Sequence, residues 1–377
     1  MKVVVVGAGA IGGYVGAKLA LAGHAVTFVG RQPLADAVAA CGLLLIEPEG
    51  QSVVKDCAVV TSPAEAFAQS KRFDLALFTV KTHDMHTAID ELRPHADRVD
   101  RFLSLQNGVS SEDLLGQAFG CEKIVAGTIL NPVSIPEPGV LVLEQRKGGI
   151  GLSSGWTTDK RMTLPSQRAG ESTNQPANIP TNPLVAVEPL AIHMRQAGFV
   201  VRTYADYRAM KWSKLLLNLI GNASSAILDL NTMQVFAEKR IFSIEIAALR
   251  EAVRVARAGG IRFVGLPDYP VPLLVAVVRF LPLPLLQPLL IPLVAKGRGG
   301  KMPSLHVDLY RGKRHSEIDE LNGVVVRAGA RLNIPTPANA LLFETFKDLQ
   351  SGRAARSDWR HQADRLWMMY SKMVDES

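Results

Sequence analysis

Hydrophobic periodicity divides the chain into two parts of different character. In the first, short unbroken apolar runs alternate with polar or glycine-rich breaks, the pattern of parallel strands buried on both faces and joined by helices. Residues 3–6 (VVVV), 25–29 (AVTFV), 75–80 (LALFTV), 102–105 and 124–128 read as such strands. An apolar-periodic helix with Val15, Leu19 and Leu21 lies between the first two. Residues 140–143 and 149–152 read as antiparallel additions. Residues 153–183, rich in Thr, Ser, Pro, Asn and Gln, have no period and are expected to form a mobile surface insertion. Pattern resumes with a helix over 184–196 and a strand over 200–203. From Met210 onward long helical periods replace the alternation. An α/β domain over residues 1–205 and an all-α domain over 206–377 are predicted.

The break after the first strand is Gly7-Ala8-Gly9-Ala10-Ile11-Gly12. A GxGxxG sequence on its own is weak; between a strand and a helix, with a second strand following, it is the fingerprint of a dinucleotide-binding Rossmann domain. Gly7 permits the tight turn, Gly9 lets the backbone approach a pyrophosphate, and Gly12 lets the helix pack close to the sheet. The helix N-terminus offers unpaired N–H groups to phosphate. Gly7, Gly9, Ala10, Ile11 and Gly12 are therefore the expected cofactor contacts, against the blander reading of an ordinary turn. The second strand ends at Gly30-Arg31, where a site built for NAD carries Asp or Glu on the ribose 2′-hydroxyl. A carboxylate repels a 2′-phosphate and a guanidinium grips one, so Arg31 predicts NADP(H).

Composition narrows the function classes. The chain has 377 residues, 47% hydrophobic and 20% charged, which is globular and long enough for two cores. The formal net charge of +7 comes from scattered basic residues without aromatic interleaving, so no nucleic-acid partner is expected; the charge suits an anionic cofactor and an acidic substrate. Strand one begins at once, with no charged leader or cleavage site, and Cys41, Cys57 and Cys121 have no metal-like spacing. Free thiols in a reducing cytoplasm are expected. His83 and His86 have no third partner at ligand spacing, so no metal site is expected.

The sharpest chemical signal is KLLLNLIGN. Lys214, Asn218 and Asn222 follow at i, i+4 and i+8, which on one helix would form a polar stripe in apolar surroundings. Such a stripe needs a partner, either a polar ligand or another helix with Lys214 snorkelling to water. A second cluster, His315-Ser316-Glu317-Ile318-Asp319 then Asn322-Gly323, follows Pro303-Ser304-Leu305. Glu317 is placed to pair with Lys214, to bond a substrate hydroxyl, or simply to favour a helix dipole. Lys81, in Val80-Lys81-Thr82, and Asn107, in Gln106-Asn107-Gly108, lie after predicted strands, where open α/β sheets bind ligands.

One stretch fits neither domain pattern. Residues 266–294 are strongly apolar yet interrupted by Pro267, Pro270, Pro272, Pro282, Pro284, Pro288 and Pro292, with Arg279 near the middle. The length could span a bilayer, but each proline frees a carbonyl that lipid cannot satisfy. Short helical pieces packed on their own domain or on a second copy are preferred to a membrane-surface patch.

Taken together, GAGAIGG, Arg31, VKTHD, QNG, KLLLN with a second Asn four on, and SEID-LNG resemble the ketopantoate reductase family, in order over nearly the whole chain. The resemblance implies a Rossmann domain followed by an all-α domain similar to that of 6-phosphogluconate dehydrogenases. It also implies reduction of 2-dehydropantoate to pantoate with NADPH, in the pathway to coenzyme A. By motif, Lys214 resembles the family's general acid and Glu317 its active-site glutamate. Asn218 and Asn222 resemble the substrate-side amides, Ser304 the serine near the substrate carboxylate, and Lys81 and Asn107 the pair contacting cofactor and substrate. Where some members carry a further asparagine this chain has Thr232. The alternatives are a paralogous NADPH-dependent reductase of another 2-keto acid or imine and, more distantly, a non-enzymatic NADP(H)-binding regulator. A homodimer through the helical domain is a further expectation.

Overall fold

The computed structural model describes residues 1–154, 183–298 and 302–375. The expected insertion over 153–183 lies, but for its ends, outside the described residues. The chain divides into two compact units, Met1–Lys211 with Leu266–Tyr269, and Trp212–Gly265 with Pro270–Ser377.

The first unit is built on an eight-stranded sheet. Its elements run β1 (Lys2–Val6), α1 (Ala10–Leu21), β2 (Ala25–Val29), α2 (Gln32–Cys41), β3 (Leu43–Glu47), β4 (Gly50–Val54), β5 (Cys57–Val60), α3 (Pro63–Gln69), β6 (Phe73–Phe78), α4 (Met85–Leu92), β7 (Val99–Ser104), α5 (Ser111–Phe119) and β8 (Ile124–Ile129). They continue with β9 (Val133–Ser134), β10 (Val140–Leu143), β11 (Ile150–Ser153), α6 (Pro183–Gln196) and β12 (Val201–Thr203), and α7 (Tyr207–Leu219) begins before the unit ends. The strand order is β12-β11-β8-β7-β6-β1-β2-β5. Every neighbouring pair is parallel except β11 with β8. The unbroken valine run has a simple cause. Val3 and Val5 enter one core with Val15 and Leu19 of α1, while Val4 and Val6 enter the opposite core with Phe67, Ile89 and Leu115. A strand covered on both faces has no position for a polar residue.

One gap in the sequence reading of this half is filled and one reading is corrected. Residues 43–60, unassigned by the hydrophobic pattern, supply β3, β4 and β5. Residues 140–143 do form a strand, but not an antiparallel addition to the main sheet: β10 pairs parallel with β3 and antiparallel with β9 in a separate sheet of order β4-β3-β10-β9. β10 thus joins its neighbour in sequence, β9, to the remote strand β3 instead of extending the main sheet. Residues 149–152 did behave as expected, as β11 antiparallel to β8.

The second unit is helical, with α8 (Asn222–Leu228), α9 (Thr232–Ala237), α10 (Lys239–Ala258), α11 (Val271–Phe280), α12 (Leu283–Arg298), α13 (Ser304–Tyr310), α14 (Asn322–Arg331), α15 (Pro337–Ser351) and α16 (Ala363–Asp375). Two buried carboxylates organise it. Glu251 on α10 accepts from the N–H groups of Ala338 and Asn339 at the start of α15, at 2.8 and 2.9 Å. Glu245, also on α10, accepts from the Gly221 N–H at 2.7 Å and from the Ser224 hydroxyl. Each satisfies helix N-terminal donors that burial would otherwise leave without water.

Candidate active site

Four strand ends of the first unit build a cavity. β1 lies between β2 and β6, the point where the strand order reverses and open α/β sheets bind ligands. A cavity of about 670 Å³ opens there. Its wall takes Gly7, Ala8 and Gly9 from the end of β1, Gly30 and Arg31 from β2, Thr61 from β5, and Thr79, Val80 and Lys81 from β6. Asp84 before α4, residues of α4 including Glu91, and the segment around β10, including Pro138 and Leu141, form the rest.

The three motif glycines meet three different demands. Gly7 has φ +99°, and a Cβ there would stand 2.6 Å from the Val80 nitrogen. At Gly12 a Cβ would fall 2.3 Å from the Thr79 hydroxyl, which itself donates to the Gly7 carbonyl at 2.7 Å. A Cβ at Gly9 would meet nothing within 4 Å, so the backbone there faces open cavity. Gly9 is also the N-cap of α1, whose first turn, beginning at Ala10 and Ile11, carries no acidic residue. This is the cradle a dinucleotide pyrophosphate requires, and the residues fit that group. At the end of β2, Arg31 is exposed on the cavity wall, with no carboxylate beside it in the chain.

Asn107 lies in the loop after β7, outside this cavity's wall. Its loop is tied to the Lys81 loop by a residue the sequence reading passed over: buried Gln106 donates from Nε2 to the Val80 carbonyl at 2.6 Å. Gln106 is held in turn by Lys211, whose Nζ donates to the Gln106 carbonyl at 2.6 Å and to the Gly127 carbonyl at 3.3 Å. Lys211 pairs with Glu112 at 2.8 Å, the two side chains 1% and 0% exposed. Close by, Tyr207 donates to Asp113 at 2.8 Å, and burial pushes the Asp113 carboxyl up to about 6 against the pull of Tyr207 and Arg208. The signal for Lys211 was present in the sequence: a lysine flanked by Met210 and Trp212, one turn before Lys214.

In the second unit the expected polar stripe is not a single helix face. Lys214 and Asn218 lie on α7, which stops at Leu219; Gly221 takes a left-handed φ of 62°, and Asn222 is the first residue of α8. The Glu245 carboxylate receiving the Gly221 N–H stabilises that break. Asn222 nevertheless stays near Asn218, donating from Nδ2 to its carbonyl at 3.2 Å. The same Nδ2 reaches the Ser304 hydroxyl at 3.5 Å, and Asn222 Oδ1 accepts from the Leu305 N–H at 3.1 Å. Asn218, Asn222 and Ser304 are thus brought together, with Asn222 buried and Ser304, at the start of α13, exposed. Glu317 is the first residue of a 3-10 turn, Glu317–Glu320, and Lys214 and Glu317 are both half-buried.

A further ion cluster buttresses the α8–α13 pair. Asp229, just past α8, bonds His306 of α13 at 2.7 Å and Arg360 at 2.9 Å. Burial alone would raise the Asp229 carboxyl, but the His306 hydrogen bond and the charges of His306 and Arg360 hold it below the usual carboxylate range.

A glycine-turn cradle at the switch point of a parallel sheet, followed by a helical unit bearing a lysine and clustered amides, defines a dinucleotide-dependent oxidoreductase of the Rossmann-plus-helical class. Comparison with known proteins makes the assignment specific. Residues 3–154 match the family model for ketopantoate reductase PanE/ApbA, and residues 206–350 match the model for its C-terminal domain. The chain belongs to the ketopantoate reductase family and is an oxidoreductase acting on CH–OH groups. A 2-dehydropantoate 2-reductase of Pyrococcus horikoshii is 26% identical over 351 residues, covering 93% of this chain and 98% of that protein. Among solved structures, a PanE/ApbA family ketopantoate reductase from Ralstonia eutropha is 28% identical with a TM-score of 0.72, covering 94% of this chain and 99% of the other. D-mandelate dehydrogenase with NADH and anilino(oxo)acetate, 20% identical with a TM-score of 0.71 and coverage of 93% and 99%, shares the fold.

Proposed function

We propose that this protein reduces a 2-keto acid with NADPH, and that the acid is 2-dehydropantoate, reduced to pantoate. The observation that carries the cofactor choice is the cavity wall itself: an open Gly9 backbone for the pyrophosphate and Arg31, instead of an acid, for a 2′-phosphate. The substrate follows the names borne by the relatives.

In this reading Gly7, Gly9 and the first turn of α1 (Ala10, Ile11, Gly12) hold the phosphates, and Lys81 and Asn107 contact the cofactor from the loops after β6 and β7. The bound dinucleotide supplies a hydride to the ketone carbon. Lys214 donates a proton from Nζ to the carbonyl oxygen as negative charge develops there, and its positive charge stabilises that oxygen beforehand. An ammonium is a competent donor because an alkoxide is far more basic than an amine. Asn107, Asn218 and the linked pair Asn222–Ser304 fix the keto acid, which removes part of the entropic barrier. Glu317 binds a substrate hydroxyl or orients Lys214. The three cysteines are free thiols, in keeping with an enzyme of the cytoplasm.

Steady-state kinetics with ketopantoate, comparing NADPH with NADH, test the reading. Loss of a charge-assisted phosphate grip of about 1.5–3 kcal/mol predicts that Arg31→Ala raises the KM for NADPH roughly 10–100-fold and leaves that for NADH nearly unchanged. Trace turnover of ketopantoate beside brisk turnover of another 2-keto acid would reassign the substrate. NADPH binding without turnover of any keto acid would make the protein a regulator.

A further inference from the structure

The proline-rich stretch is neither a packed core nor a span. Both of its helices are fixed to their own unit by their inner sides. Leu286 and Leu290 of α12 are buried, Gln287 Nε2 donates to the carbonyls of Phe236 and Ala237 at 3.0 and 3.2 Å, and Arg250 caps the end of α11 through the carbonyls of Val278 and Leu281. The outer side of α12 is left to solvent. Leu285, Leu289 and Leu293, one turn apart, are 58, 44 and 60% exposed, and Pro284, Pro288 and Pro292 stand exposed between them. Phe280 at the end of α11 is 71% exposed. A contiguous exposed apolar face of this kind marks an interaction surface.

The charge around that face points to its occupant. Beside it a second cavity, of about 600 Å³, is lined by Arg257, Arg262 and Arg279 together with Phe263, Val275 and Phe280, and by no acidic residue. The bias extends through the sequence: between Glu251 and Asp308 there are seven Lys and Arg residues and a single acid, Asp268, in a chain whose formal net charge is +7. No helix of the described residues is long and apolar enough to cross a membrane. Leucines flanked by unopposed guanidiniums fit the boundary layer of a bilayer, with apolar side chains among the acyl chains and cations at the phosphates. A second copy fits less well, because a two-fold contact sets a patch of one sign against itself.

We propose that the outer face of α11 and α12, with the arginine-lined cavity beside it, docks this protein on the surface of an anionic lipid bilayer. This reading stands apart from the identity of the keto acid. The test is co-sedimentation of the full chain with phosphatidylcholine vesicles, with and without phosphatidylglycerol, at low and high salt. The parent protein is expected to pellet with the anionic vesicles at low salt, to be released by high salt, and to ignore phosphatidylcholine alone. At about fivefold per guanidinium, the triple variant Arg257→Gln, Arg262→Gln, Arg279→Gln is expected to bind roughly 100-fold more weakly. The triple variant Leu285→Ser, Leu289→Ser, Leu293→Ser is expected to lose binding as well, with turnover in vesicle-free buffer unchanged for both. Absence of parent binding to anionic vesicles, or undiminished binding by either triple variant, overturns the proposal. So does light scattering in which the leucine variant halves the mass of a parent dimer, which would give the face to a second copy.

Discussion

The glycine cradle and the amide cluster bring polar groups together by opposite means. The cradle of the first unit is made of backbone. Its turn spans six consecutive residues, and its specificity lies in what the glycines lack: a Cβ at Gly7 or Gly12 would collide, and one at Gly9 would stand in the space left for the ligand. The cluster of the second unit is made of side chains from distant segments. Asn222 meets Ser304 across 82 positions of sequence, and the break that places Asn222 depends on Glu245 of another helix. A site built from local backbone is robust and readable. A site built from remote side chains depends on every buried group that holds those segments.

The largest expected effect separates chemistry from binding. Lys214→Ala should lower kcat roughly 10²–10⁴-fold while NADPH still binds with parental affinity by fluorescence titration. Near-parental turnover would remove Lys214 from the chemistry and leave only the cradle with a role.

The next concerns the buried lysine behind the cradle. Lys211→Met leaves the Glu112 carboxyl without its partner in the core, at a cost of about 3–5 kcal/mol in denaturant unfolding. Pairing it with Glu112→Leu should return most of that stability, because an apolar pair replaces an ion pair. Activity should stay depressed in the double variant, since the Gln106 carbonyl, next to Asn107, has lost the donor that holds it. A double variant that is both stable and fully active would show the network to be structural only.

A smaller effect depends on pH. The Asp113 carboxyl has its folded value raised to about 6 from 3.8. Below that interval it is protonated folded and unfolded alike. Through the interval the unfolded chain gives up a proton that the folded chain keeps, so this group lowers stability as pH rises and its contribution is level above about 6. Asp113→Asn should therefore gain on the order of 2 kcal/mol relative to the parent between pH 4 and pH 7, measured by urea unfolding at both. An equal pH slope in parent and variant would contradict the raised value.

The smallest effect is the sharpest test of the cradle. Gly9→Ala adds a methyl group that meets no protein atom, so thermal stability should change little, whereas NADPH affinity should fall by about tenfold or more because the added Cβ occupies ligand space. Unchanged affinity would move the pyrophosphate elsewhere.

Much of the first unit could be read directly. Strands buried on both faces announce themselves as apolar runs, and a glycine turn between two such strands has few structural alternatives. Lys214, Asn218, Asn222, Ser304 and Glu317 were visible as polar residues in apolar or turn contexts. Their grouping was not: periodicity placed Lys214, Asn218 and Asn222 on one helix face, and Gly221 ends that helix before Asn222. Gln106, Lys211 and Glu245 went unread because their significance lies in partners 26, 105 and 24 positions away.

Local order along the chain thus decided the fold class and the glycine turn, because both rest on steric rules acting between near neighbours; the candidate acid, Lys214, was singled out by its motif's resemblance to the family. Tertiary structure alone decided that β10 joins a second sheet, that α7 gives way to α8 at a buried carboxylate, and that the leucines of α12 face outward. Those outcomes follow from competition for buried hydrogen bonds and apolar surface among segments remote in sequence. No local pattern carries the result of that competition.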